Sequence, residues 1–124
     1  MIVKNIGQEE DFEEMEPTIQ LLEEKRADGS SLSMWAYLDT GGYLHINGQD
    51  LGPVTKFISG DGEYEYSYTV AAKDIPALIM VLGGKENDNV LDILERNWTG
   101  IKSYELGDLL RECPIPVKLS TWSG

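Results

Sequence analysis

The cleanest alternation of apolar and polar positions runs from Glu63 to Ala71. Tyr64, Tyr66, Tyr68 and Val70 fall on one side of an extended chain. Glu63, Glu65, Ser67, Thr69 and Ala71 fall on the other. Successive side chains point to opposite faces of a strand, and these residue types favour one. The pattern predicts a central strand with one packed and one polar face, entered through a turn at Asp61-Gly62. Leu32 to Asp39 alternates in the same way, with Leu32, Met34, Ala36 and Leu38 opposite Ser33, Trp35, Tyr37 and Asp39. Thr40-Gly41-Gly42 predicts a hairpin turn, and Tyr43 to Asn47 its returning arm with Leu44 and Ile46 inward. Gly48, Gly52 and Pro53 are expected to break that arm, leaving a loop or one helical turn over residues 53–59. Val117 to Ser123 alternates again and predicts the last strand.

Helical spacing appears in four places. Phe12, Met15, Ile19 and Leu22 recur at that spacing, and proline is tolerated in a first turn. A helix is therefore expected from near Pro17 to near Asp28-Gly29. Ala72 to Leu82 predicts a second helix, with Asp74 as cap, Pro76 in the first turn and Gly83 as the stop. It shows almost no polar positions, so burial on most sides is expected. Val90, Leu91, Leu94 and Trp98 form the stripe of a third helix, capped by Asn87 or Asp88 and stopped at Thr99-Gly100. Ser103 opens a fourth, whose Leu106, Leu109, Leu110 and Cys113 face inward until Pro114 and Pro116 end it.

These elements predict an α+β fold in one domain over residues 1–124. Its single antiparallel or mixed sheet has four to five strands, with three to four helices mainly on one face. Residues 1–31 read as an acidic N-terminal extension and 32–124 as the core. The covered face takes Met34, Leu38, Leu44, Ile46, Val70, Val117 and Leu119, and the three tyrosines of the central strand belong to the core or its rim. By parity the other face carries Trp35, Tyr37, Asp39, Tyr43, His45, Asn47, Glu65, Ser67, Thr69, Lys118, Ser120 and Trp122. Trp and Tyr join large apolar area to a polar handle and are enriched at interfaces. Either the acidic front section folds across this face or a partner does.

Charge sharpens that alternative. The chain has 22 acidic and 10 basic residues and a formal net charge of -12. Phosphates repel such a surface, so nucleic acid and anionic membranes are poor direct partners and a basic protein a good one. Acidity that only maintains solubility is the competing explanation. The single cysteine, Cys113, excludes an intrachain disulfide and suits a reducing compartment. Residues Met1 to Gly7 contain no long apolar run, so neither signal peptide nor membrane helix is expected, and the cytoplasm is the expected location.

Catalytic motifs are lacking. His45 is the sole histidine, which excludes histidine pairs and multi-histidine metal sites. Cys113, at the apolar end of a helix, reads as a structural thiol rather than a nucleophile. Asp61-Gly62-Glu63 and Glu86-Asn87-Asp88-Asn89 lack the ligand ladder of a calcium loop. Gly83-Gly84-Lys85 lacks the flanking residues of a phosphate loop. No carboxylate pair is singled out for hydrolytic chemistry. The chain reads as a binding protein without cofactor or metal; a self-associating module and an acidic-residue hydrolase are the competing classes.

Several phrases carry a resemblance. They are Leu44-His45-Ile46-Asn47-Gly48-Gln49-Asp50-Leu51-Gly52, Glu63-Tyr64-Glu65-Tyr66 leading into Val70-Ala71-Ala72-Lys73-Asp74-Ile75-Pro76-Ala77-Leu78, Leu82-Gly83-Gly84, and the ending Ile115-Pro116-Val117 with Trp122-Ser123-Gly124. Over roughly residues 32–124 the chain resembles small acidic bacterial immunity proteins of polymorphic toxin systems, such as contact-dependent growth inhibition. The resemblance implies a cytoplasmic protein that binds a cognate toxin domain, often a basic nuclease, and blocks it. It brings no catalytic motif. The partner-binding set expected from the parity of the open face and its acidic margin is Trp35, Tyr37, Asp39, Tyr43, His45, Asp61, Glu63, Glu65, Ser67 and Trp122. A homodimer formed through the same face or a sheet edge is the alternative assembly.

Overall fold

The computed structural model describes residues 18–53 and 63–123. Five strands form one antiparallel sheet in the order in which they occur: β1 (Ile19–Lys25), β2 (Ser31–Leu38), β3 (Leu44–Leu51), β4 (Glu63–Val70) and β5 (Lys118–Ser123). Three helices, α1 (Ile75–Val81), α2 (Val90–Asn97) and α3 (Ser103–Glu112), occupy the connection between β4 and β5 and pack on one side of the sheet. This is the α+β arrangement that the hydrophobic pattern predicts.

Met34, Ala36, Leu44, Ile46, Tyr68 and Val70 enter the core from the sheet. Leu78, Leu82, Ile93, Leu94, Leu106 and Leu110 enter it from the helical side. Leu38 and Val117 pack at its margin, whereas Leu119, expected inside, is 44% exposed on β5, an edge strand of the sheet.

The first expected helix is a strand. Ile19 pairs with Ala36 and Leu22 with Met34, and a register shift between Gln20 and Leu22 leaves Leu21 as the extra residue of a β-bulge. A bulge sets two residues against one on the partner strand. Leu21 is thus fully buried beside a half-buried Leu22. Two adjacent inward leucines break the period-two signal and mimic a helical one. The Gln20 side chain donates to the carbonyls of Leu22 (2.7 Å) and Met34 (3.1 Å), satisfying backbone groups at the irregularity. Part of the stretch set apart as an extension therefore supplies the sheet's first strand. Phe12, Met15 and Pro17 lie outside the described residues.

β3 does not stop at Gly48 but continues to Leu51. Gly48 is buried, and a Cβ there would stand 2.0 Å from Tyr66 Cζ. The glycine leaves room for the Tyr66 ring to lie against the sheet.

The helix boundaries also differ in detail. Asp74 precedes α1 without a capping hydrogen bond. Asn89, rather than Asn87 or Asp88, caps α2 by accepting from Leu91 N (2.9 Å) and Asp92 N (3.2 Å). Asp88 instead accepts from Lys85 N at 2.6 Å in the preceding turn. The Ser103 hydroxyl, at the first position of α3, donates to the Gly100 carbonyl at 2.6 Å rather than capping. At the end of α1, Gly83 takes φ +95° and Gly84 N reaches back to Ile79 O at 2.8 Å. That bond closes the helix in the manner of a Schellman turn. α1 is not buried all round. Leu78 and Ile79 face inward, but Met80 is 58% exposed, and Pro76, Ala77 and Val81 are exposed beside it. None of the described helices is long and apolar enough to cross a membrane.

Candidate binding face

The helices leave the other face of the sheet uncovered by any described element. The strand registers arrange that face as rungs. Gln20, Trp35, Asn47, Ser67 and Ser120 form the middle rung. Glu23, Ser33, Gln49, Glu65 and the position of Trp122 form the rung on one side. Tyr37, His45, Thr69 and Lys118 form the rung on the other. Strand parity thus brings together Trp35, Tyr37, His45, Glu65 and Ser67 as expected. Trp122 joins them by register, and Glu63 pairs with Leu51 one rung further along. Asp61 lies outside the described residues, as does most of the expected 53–59 loop.

The face is held by its own polar groups. Ser67 Oγ donates to Asn47 Oδ1 at 2.6 Å. Gln49 Nε2 donates to Glu65 at 3.0 Å and to Glu63 at 3.4 Å. A depression of about 320 Å³ opens between Trp35, Asn47, Gln49, Glu65 and Ser67. Acids gather at one end, where Glu23, Glu63 and Glu65 flank Gln49, and Lys118 stands at the other. The surface is therefore polarised along the strands.

Asp39 and His45 form the tightest unit. The Asp39 carboxylate accepts from Gly41 N at 2.9 Å and Tyr43 N at 3.0 Å, closing the β2–β3 turn. Its second oxygen lies 2.8 Å from His45 Nε2. An ionised carboxylate only accepts, so Nε2 carries the proton in this pair. The imidazole stacks on Tyr37 with ring centroids 4.8 Å apart and planes 10° from parallel. The bond to His45 and the two backbone donors hold the Asp39 carboxyl below its ordinary value. Asp39 is thus a turn-forming residue rather than a free surface acid. Tyr43, 44% exposed, stands near Thr69 and Lys118 at the same end.

The depressed Asp39 pKa has a definite sign. Its contribution to stability is present above the unfolded value, near 3.8, and is lost as pH falls through the lower folded value. Asp39→Asn is expected to destabilise the protein at pH 7, and the gap from wild type should narrow below about pH 3.8. Urea unfolding of both proteins across that range measures it; a gap independent of pH would contradict the assignment.

Sequence reasoning missed Gln20, Glu23 and Gln49 on this face. The first two fall within the expected helix, and the third lies beyond the expected break at Gly48. The signal for Gln49 was present, since Gln49 and Leu51 continue the parity of Asn47. Cys113 is half-buried against the core, with Sγ 3.6 Å from Leu110 O, as suits a structural thiol. Among the described residues no three His, Cys, Asp or Glu side chains gather as metal ligands would. No family model, curated protein or solved structure matches the chain.

Proposed function

We propose that this chain is an inhibitory binding protein that lays its open sheet face over a basic protein partner. The specific form of the proposal is immunity: the partner is a cognate toxin domain, a nuclease, neutralised in the cytoplasm without chemistry on the inhibitor's side. The observation that carries it is the uncovered rung system, where Trp35 and Tyr37 stand among hydrogen-bonding groups and the acids concentrate at one end. A net charge of -12 supports the choice of a basic partner. Complementary charge raises association rates, and desolvated aromatic anchors supply most of the affinity in such interfaces. The resemblance of residues 32–124 to small acidic immunity proteins is the ground for choosing a toxin domain as the partner.

The test begins with capture of partners by the tagged chain and repeats it with two variants. Glu63→Lys combined with Glu65→Lys is expected to slow association with the captured partner about tenfold or more at low salt. Trp35→Ala is expected to weaken binding by about 2 kcal/mol or more, chiefly through faster dissociation. Both variants should retain the wild-type circular dichroism spectrum. A partner bound equally well by all three proteins would remove this face from the interface. A symmetric dimer disrupted by the same changes, with no heterologous partner, would favour self-association.

A further inference from the structure

The open face holds a slot at its centre. Along the middle rung Trp35 stands beside Asn47, and Asn47 beside Ser67. Side chains shorten across this row, from indole to carboxamide to hydroxyl. On the next rung Gln49 and Glu65 are long again. Short Asn47 and Ser67, bounded by three longer side chains, leave the depression of about 320 Å³. The indole of Trp35 forms one wall, and the Gln49–Glu65 pair forms another.

Hydrogen bonds inside the slot fix what it offers to a ligand. Ser67 Oγ gives its one proton to Asn47 Oδ1 at 2.6 Å, so toward any further group this hydroxyl presents only lone pairs. Asn47 Oδ1 keeps a second lone pair. Gln49 Nε2 donates to Glu65 at 3.0 Å and holds one carboxylate oxygen in place. A carboxylate accepts at about four sites, of which that bond uses one. The slot is therefore preorganised as a set of acceptors.

Its charge has one sign. Among the described residues that line the slot, Glu65 is the only charged one. The cations that the strand registers put on this face, Lys25 and Lys118, stand opposite Ser31 and Thr69 and are not part of its walls. An anion would meet Glu65 at close range. An apolar group would strip water from the acceptors without replacing it. A flat, positively charged head with several N–H donors satisfies the carboxylate, the oxygens and the indole together.

We propose that this slot receives an arginine side chain of a polypeptide partner, with its guanidinium against Trp35 and hydrogen-bonded to Glu65 and Ser67. This role rests on the open face being the binding surface, and it names the group which that surface selects. Tryptophan is the most favourable aromatic partner for a cation. Charge-assisted bonds from a guanidinium to a carboxylate are stronger than neutral ones. Arginine fits better than lysine, because its planar fork carries more donors, stacks on aromatic rings and is less strongly hydrated. The net charge of -12 favours approach of the cation.

The test is an NMR titration of the full chain at constant ionic strength with capped Gly-Arg-Gly, Gly-Lys-Gly and Gly-citrulline-Gly. Citrulline keeps the length and flat end of arginine without its charge. The arginine peptide is expected to give saturable shifts of the Trp35 indole N–H and of the Gln49, Glu65 and Ser67 amides. The lysine peptide should bind about threefold or more weakly, and the citrulline peptide should not saturate. Glu65→Gln should weaken arginine-peptide binding about tenfold or more, and Ser67→Ala by a smaller factor. Failure of Gly-Arg-Gly to saturate overturns the proposal. So does equal binding of the citrulline peptide, or unchanged affinity in a natively folded Glu65→Gln protein. The slot and the wider face fail separately. If Glu63→Lys with Glu65→Lys slows capture of the partner but Gly-Arg-Gly does not bind, the face stands and the slot falls. If Gly-Arg-Gly saturates in the slot while no basic partner is captured, the slot stands and the inhibitory reading falls.

Discussion

Gly48→Ala is expected to destabilise the protein by about 2–4 kcal/mol, although alanine in a strand interior is ordinarily the better residue by about 0.5–1 kcal/mol. The reversal comes from one contact. The new Cβ would stand 2.0 Å from Tyr66 Cζ and 2.2 Å from its hydroxyl, far inside van der Waals contact. Tyr66 must then swing off the sheet, giving up its packing on the core margin and its edge contact with Tyr68. Gly48→Val should cost more. A double-mutant cycle isolates the cause, because Tyr66→Ala removes the obstructing ring. In that background Gly48→Ala should become neutral or stabilising, a coupling of several kcal/mol for residues in direct contact. Urea unfolding of the four proteins measures it. An additive cycle would mean that the ring does not lie over Gly48.

Leu21→Ala is expected to cost about 2–5 kcal/mol, the range for truncating a fully buried leucine. Leu21 is 1% exposed and belongs to the main core cluster. The neighbouring Leu22 is only partly buried, so Leu22→Ala should cost distinctly less. The contrast between adjacent leucines is the signature of the bulge in β1. A helix lying outside the sheet would predict small losses at both positions. Chemical denaturation of the two variants separates these outcomes.

Strands β2 and β4 were legible from sequence because each alternates without interruption and one face of each enters the core. The turn at residues 40–42 was legible because paired glycines leave few alternatives. β1 was not, because its bulge places Leu21 and Leu22 together and erases the period on which the reading depends. β3 was read too short because glycine usually weakens a strand, and only the ring that covers Gly48 from β4 explains its place there. That contact joins residues 18 positions apart and has no local sequence signature. The open face followed from parity once the strands were known, but the role of Asp39 did not. Its bonds to the Tyr43 backbone and to His45 depend on how tightly the hairpin closes.

The strand order has a consequence in time. β2, β3 and β4 each pair with the strand that precedes them, whereas β5 reaches β4 only after the chain has passed through all three helices. During synthesis from the N-terminus, the tyrosine-bearing β4 is consequently the last strand available and has an open edge until β5 emerges. Edges of this kind pair readily with other chains. A nascent or prematurely ended chain would offer β4 to its neighbours, and arrival of β5 would cover that strand. The last strand therefore covers the eight-residue edge of β4 and leaves the six-residue β5 as the outer edge, a shorter template for pairing with other chains.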